Sequence, residues 1–172
     1  NIEDYDSIIT SFPLDKNNIR LSKDGDILPI TNVLSNNSNF EYVSNEKIID
    51  EYLNGTTIVL EKFQRYKYEA NLLCKQIQHE FNCAVNINSY LTPPNSHGFG
   101  FHFDKHSVII LQIHGSKKWF VDSKPYEKFP IHGITYTDLS NYKSDSIQEI
   151  ELNAGDLLYI PRGCVHKAVC QD

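Results

Sequence analysis

From Ala84 onward the side-chain pattern has a period of two, and this constrains the fold more than any other feature of the chain. Val85, Ile87 and Ser89 alternate with Asn86, Asn88 and Tyr90, the spacing that sends neighbouring side chains to opposite faces of an extended strand. Short strand-like runs follow at Gly100 to Asp104, Val108 to Ile113, Lys117 to Val121, Ile147 to Leu152, Leu157 to Ile160 and Val165 to Cys170. Pro93-Pro94, Gly115-Ser116, Gly155-Asp156 and Pro161-Arg162-Gly163 punctuate them. Pro presets φ and Gly admits positive φ, so these are turns. Many short strands with regular turns predict an antiparallel barrel or sandwich. The polar, irregular stretch from Lys124 to Ser146 reads as a long insertion between strands, of the kind that covers a site.

Ahead of this pattern the chain mixes helix and short extended pieces. Ser44 to Gly55 predicts a short helix, with Ser44 as N-cap, Ile48, Ile49, Tyr52 and Leu53 on one face, and Gly55 as the stop. Thr57 to Leu60 reads as a buried strand. Tyr66 to Phe81 predicts a second helix, with Leu73, Ile77 and Phe81 at four-residue spacing and Ala70 and Leu72 beside them. The expected organisation is a helical and extended lead-in over residues 1–83, packed on a β core over residues 84–172, in one structural domain. A chain of 172 residues has room for such a core without staples.

Composition removes several alternatives. The net charge is −6, which argues against a broad basic surface for a nucleic-acid backbone and weakly favours a basic polypeptide as partner. No apolar run approaches the roughly 20 residues that cross a bilayer, and Asn1 to Thr10 has neither the basic start nor the apolar centre of a signal peptide. Cys74, Cys83, Cys164 and Cys170 make no CxxC pair, so the expectation is a reduced, cytoplasmic chain with mostly buried thiols. The chain contains no Met, and a processed or excised piece is expected.

The chemistry centres on His102-Phe103-Asp104. On a strand, His102 and Asp104 share one face while Phe101 and Phe103 take the other. An imidazole and a carboxylate side by side make two-thirds of a facial metal site, and His166, on a late strand just after Pro161-Arg162-Gly163, is the candidate third ligand. Two His and one carboxylate leave the opposite face of an octahedral metal open, the arrangement of non-haem Fe(II) oxygenases, although such donors also accept other divalent metals. An HxD alone carries little information; the strand pair after it and the sharp turn before His166 are what strengthen it. In Gly115-Ser-Lys-Lys-Trp119, Lys117 and Trp119 share a face and Lys118 takes the other. Two readings stand for this pair of lysines. Either both are exposed in a turn joining an antiparallel strand pair, or Lys117 is buried and needs a permanent anion, such as the far carboxylate of 2-oxoglutarate. His79, His97, His106, His114 and His132 read as helix or loop histidines, and Cys164 as a small core residue.

Taken in order, Asn88 to Asp104, Leu111-Gln112, Gly115 to Trp119 and Gly155 to His166 resemble the JmjC-type ribosomal oxygenases, a family of cupin-like Fe(II)/2-oxoglutarate dioxygenases. The resemblance runs loosely from Leu21 and closely from Asn86 to Cys170. It implies a double-stranded β-helix core and metal ligands at His102, Asp104 and His166. It also implies a 2-oxoglutarate contact at Lys117, and contacts to the target side chain from Asn88 and Tyr90. Fe(II), 2-oxoglutarate and O2 are the implied cofactor and cosubstrates. A His or Arg side chain of a protein or peptide, a ribosomal protein among the candidates, is the implied target. A dioxygenase acting on a small molecule or natural-product peptide, or a metal-binding cupin module without turnover, are the competing readings. Phe101 stands where relatives often have Pro, and Cys164 where they have a bulkier residue; neither is a ligand position. Relatives continue beyond the last His into a further core strand, a helical dimerisation region and a winged-helix domain. The expectation is therefore a core whose closing strand and homodimer contacts lie outside these residues.

Overall fold

The computed structural model describes residues 2–11, 13–36, 41–131, 139 and 141–171. Helix α1 (Ile2–Ser11) leads, followed by β1 (Ile19–Lys23) and β2 (Asp26–Leu28), then β3 (Leu34–Asn36) and β4 (Glu41–Val43). Helix α2 (Asn45–Leu53), β5 (Thr57–Leu60) and α3 (Tyr68–Phe81) come next, and then six strands: β6 (Ser89–Leu91), β7 (Val108–Leu111), β8 (Ser116–Pro125), β9 (Ile147–Asn153), β10 (Leu157–Ile160) and β11 (Cys164–Cys170). All the ladders are antiparallel, and the sheet orders are β2-β1-β5-β6, β10-β7, β11-β8-β9 and β3-β4. No helix among the described residues is long and apolar enough to cross a membrane.

The lead-in does more than pack on the β core. Its strand β5 is hydrogen-bonded to β6, so residues on both sides of position 83 share one sheet. The sheet is two-faced because its strands alternate. Ile19, Leu21, Ile58 and Leu60 turn to one side and pack with Tyr5, Ile8 and Ile9 of α1, Leu14, Val33 and Ile48. Each large side chain sealed there contributes about 1.5–3 kcal/mol of transfer free energy. The other side carries two rows fixed by register. Arg20 lies opposite Val59, which lies opposite Tyr90; Ser22 lies opposite Thr57, whose hydroxyl donates to that of Thr92 at 3.2 Å.

Both sequence-predicted helices form, but their docking faces differ from the expectation. Ser44 caps α2 by accepting from the Lys47 N–H. Of its apolar residues Ile48 is sealed and Tyr52 half-buried, whereas Ile49 and Leu53 are exposed. On α3 the expected line of Leu73 and Phe81, with Leu72 beside it, faces outward; the buried residue is Cys74. Its thiol and the Gln78 amide both donate to the Val85 carbonyl, so α3 docks through a thiol and an amide on an irregular segment.

The strands from β7 onward fall close to their expected places; three corrections concern the segments ahead of β7 and the pairing around Gly115. Residues 84–88 form no strand, and Gly100 to Asp104 forms none either: only an isolated bridge joins His102 to His166. Nor do the strands flanking Gly115 pair with each other. β7 pairs with β10, while β8 pairs with β9 and β11. Gly115, at φ +60°, therefore passes the chain from one sheet to another and does not close a hairpin.

The insertion after β8 is anchored at its base. Asp122, buried, accepts from the Lys124 N–H at 2.8 Å and from the hydroxyls of Tyr142 and Ser146 at 2.6 Å each. Burial alone would raise its carboxyl pKa. The hydrogen bonds from Ser146, Tyr142, Ser144 and the Lys124 N–H outweigh that and hold it well below the usual carboxylate range. His132 lies outside the described residues.

Candidate metal centre

His102 sits in the segment before β7 and His166 on β11. Their backbones exchange two hydrogen bonds: the His102 N–H donates to the His166 carbonyl at 3.1 Å, and the His166 N–H to the His102 carbonyl at 2.8 Å. This hydrogen-bonded antiparallel pair makes the two imidazoles cross-strand neighbours, with ring centroids 4.4 Å apart. In each ring Nδ1–H donates to a carbonyl two residues back, Gly100 at 2.9 Å for His102 and Cys164 at 3.0 Å for His166. A carbonyl can only accept, so the proton is on Nδ1 and the Nε2 lone pair is left to point at a ligand. Asp104 completes the group, with Oδ2 at 3.6 Å from Nε2 of His166. The donor atoms of all three residues lie within 4.8 Å of one another.

Asp104 is held from behind. Its carbonyl accepts from the Gly163 N–H at 2.8 Å, and the Gly163 carbonyl accepts from the Tyr126 N–H at 2.8 Å. Gly163 sits at φ +77°, and a Cβ there would lie 1.8 Å from the Glu127 carbonyl oxygen. Only glycine lets the turn before β11, the end of β8 and the Asp104 segment meet. On the far side of the pair, Phe101 packs against Phe120 and Tyr142, and Phe103 stacks on Tyr126, as the alternation of this segment anticipates. The approach to His102 is pinned by the β1–β2 turn, where the Asp24 and Gly25 N–H groups donate to the His97 and Gly98 carbonyls.

Burial, reinforced by the neighbouring His102, holds the His166 imidazole well below its ordinary pKa, so it is neutral at neutral pH with a lone pair to give. Lys117 shares a face with Trp119 and His166 by the β8–β11 register, in which Val121 lies opposite His166 and Cys170 opposite Lys117. Burial lowers its pKa, and its ammonium donates to the Thr92 hydroxyl at 3.1 Å. It is not an exposed turn lysine; Lys118, across the strand, is the one that pairs with Glu149 at the surface. Trp119 lies between, its ring 6.2 Å from that of His166. Among the described residues its buried indole N–H has no acceptor.

A small cavity beside the triad is lined by Arg20, Tyr90, Phe99, His102 and Asp104. Tyr90 is therefore a wall of this cavity, next to the triad. Asn88 does not line this cavity; its side-chain oxygen accepts from the Lys62 N–H at 3.2 Å. Arg20 was not anticipated. The signal for it was the polar–apolar alternation of Ile19-Arg20-Leu21-Ser22-Lys23 before the Asp24-Gly25 turn, which marks a strand with one polar face. The free thiols of Cys74, Cys164 and Cys170 are buried and that of Cys83 is exposed.

Comparison with known proteins gives one family match, to the JmjC domain, over residues 59–172. Among curated proteins, the chain is similar to a bifunctional lysine-specific demethylase and histidyl-hydroxylase NO66 from Drosophila mojavensis, 36% identical over 124 residues. The corresponding protein of Drosophila grimshawi is 38% identical over 124 residues. Each match covers 70% of this chain, which spans only 14% and 17% of the two relatives' lengths. Among solved structures, Escherichia coli YcfD superposes over 100% of this chain and 42% of its own, with a TM-score of 0.62 at 14% identity. A second structure, YcfD described as a ribosomal oxygenase in complex with cobalt and 2-oxoglutarate, gives 0.55 at 18% identity, covering 100% of this chain and 41% of that one. The likeness to YcfD shows the fold, a JmjC, cupin-like β core with few helices.

Proposed function

This chain belongs to the JmjC domain family, and from that premise we propose that it is an Fe(II)- and 2-oxoglutarate-dependent dioxygenase that hydroxylates a side chain of a protein or peptide, of ribosomal-oxygenase type. The observation that carries the reading is the convergence of His102, Asp104 and His166 with both imidazole tautomers already fixed. Two neutral nitrogens and one carboxylate suit Fe(II) and leave coordination positions for a cosubstrate. Bound there, the metal with 2-oxoglutarate and O2 supplies the oxidising power to convert a C–H bond to C–OH.

The chain's own residues have positional tasks. Lys117 and Thr92 receive the far carboxylate of 2-oxoglutarate, and the orphaned indole N–H of Trp119 is a further donor on the same face. Two observations support this assignment: a half-buried ammonium whose hydrogen-bond partner among the described residues is a neutral hydroxyl, and a buried N–H with no acceptor among the described residues. Both are stabilised by an anion. Tyr90 and Phe99, edge-to-face at 6.2 Å, wall the space where the target side chain enters. No side chain has to serve as a general base. The acidic balance, −6 over the chain, suits a basic polypeptide such as a ribosomal protein as substrate.

Trp119 is the chain's one tryptophan and reports on the site directly. Titration with Co(II) should quench its fluorescence in the native protein and not in Asp104→Ala. With Fe(II), 2-oxoglutarate and a pool of ribosomal peptides, succinate should be released and one oxygen atom added to a peptide, and Lys117→Ala should weaken 2-oxoglutarate binding. Absence of succinate with every peptide pool, together with unchanged 2-oxoglutarate affinity in Lys117→Ala, would leave a metal-binding module without turnover.

A further inference from the structure

Arg20 is the charged residue of the lead-in that reaches the cavity beside the triad. It is carried there by register: Arg20, Val59 and Tyr90 lie side by side across β1, β5 and β6, on the sheet face away from the apolar core. Its Nε lies 2.5 Å from Oε1 of Glu61, the residue that follows β5. Its guanidinium carbon lies 5.3 Å from the centre of the Phe99 ring. An acidic group on one side and an aromatic ring on another fix a long, otherwise mobile side chain in one orientation. That orientation places it at the cavity shared by Tyr90, Phe99, His102 and Asp104. A merely structural surface ion pair needs neither the ring nor the cavity.

We propose that Arg20 is a specificity-determining residue of this site: held by Glu61 and Phe99 at the cavity that opens on His102 and Asp104, it donates to a target side chain that carries an acceptor, such as imidazole or amide, and turns away a cationic one. The proposal rests on the oxygenase reading for what the cavity receives. A guanidinium has five N–H donors and no acceptor. A target imidazole or amide offers it a lone pair. A target guanidinium or ammonium offers only donors and a like charge, so both partners would lose solvation without gaining a bond. The acidic character of the chain as a whole works over a longer range than this contact. It draws a basic polypeptide to the surface, while Arg20 screens the single residue that enters.

The test separates binding from turnover. Fluorescein-labelled peptides of one basic sequence, differing only in a central His, Asn, Lys or Arg, are titrated by anisotropy against the Co(II)- and 2-oxoglutarate-loaded protein. The expected result is His or Asn bound about tenfold more tightly than Lys or Arg. That preference should be lost or inverted in Arg20→Glu, lost in Arg20→Gln, and largely kept in Arg20→Lys. Arg20→Gln and Arg20→Lys keep the test decisive if Arg20→Glu fails to fold opposite Glu61, which thermal melting followed by circular dichroism detects. Equal binding of all four peptides by the native protein, or an unchanged preference in Arg20→Gln, overturns the proposal. Failure to release succinate while the Arg20-dependent preference persists overturns the oxygenase reading and leaves Arg20 its role in binding.

Discussion

The two faces of the sheet β1-β5-β6 are built from alternate residues of the same strands, and they do opposite work. On one face Ile19, Leu21, Ile58 and Leu60 close against α1 and α2 with almost no exposure. On the other, Arg20 and Tyr90 line the cavity beside His102 and Asp104, and Thr57 and Thr92 present hydroxyls toward Lys117. The apolar face is where lead-in and β core acquire their shared stability; the polar face is where they acquire chemistry. Strand pleating keeps the two apart by a single residue, so a one-residue slip of β1 would exchange them completely.

This division can be broken or sharpened by substitutions read out twice, by urea denaturation and by Co(II) quenching of Trp119. Leu60→Ala should have the largest effect on stability, about 2–5 kcal/mol, because Leu60 is fully buried and the sheet cannot collapse onto the void. Metal affinity of the folded fraction should be unchanged; a parallel loss of quenching would mean that the two faces are energetically one. Gly163→Ala comes next. The left-handed backbone costs about 1–3 kcal/mol for a non-glycine residue. The collision with Glu127 must also displace the Asp104 segment, so metal affinity should fall here although Gly163 touches no ligand atom. Retained affinity would show that Asp104 is held by something other than this junction.

Asp122→Ala should cost about 1–3 kcal/mol by leaving the Lys124 N–H and the Tyr142 and Ser146 hydroxyls unsatisfied. The native carboxyl is depressed, so its contribution is fully present above the unfolded-state pKa of about 4 and is lost as pH falls through that value toward the folded one. The native protein should therefore lose stability below about pH 4 more steeply than Asp122→Ala. Equal slopes would remove Asp122 from the acid response. Smallest in stability is Thr57→Val, about 1 kcal/mol for one hydrogen bond. Its effect should appear instead as weaker 2-oxoglutarate binding, since Thr57 orients the Thr92 hydroxyl that faces Lys117.

The legible parts of this molecule are those where a local pattern and its partner agree. A buried apolar run located β5, and short strand-like runs located β7 to β11, to within a few residues because each lies in a regular ladder. The same rule failed at Gly100 to Asp104, where the chain is held by a lone bridge and by glycine contacts from Gly25 and Gly163 that leave no periodic trace. His102, Asp104 and His166 still converge, because one bridge is enough to bring the two imidazoles together. Helical spacing found α2 and α3 but not their docking faces. Leu72, Leu73 and Phe81 supply an apolar stripe, yet α3 is seated by Cys74 and Gln78 on the Val85 carbonyl. Arg20 was missed for a different reason: its importance depends on the register of β1 with β5 and of β5 with β6, which a single strand does not disclose.

The bridge between His102 and His166 has a mechanical consequence. Two reciprocal main-chain bonds set the spacing of the histidines, but no ladder continues from them on the His102 side. The pair therefore works as a clasp more than as a weld. It fixes the spacing of the two imidazoles when shut and can spring open by local fluctuation without unfolding β11. The amide hydrogens of His102 and His166 should exchange with solvent faster than those in the middle of the β8–β11 ladder, and slow together when a divalent ion draws the two side chains onto one centre.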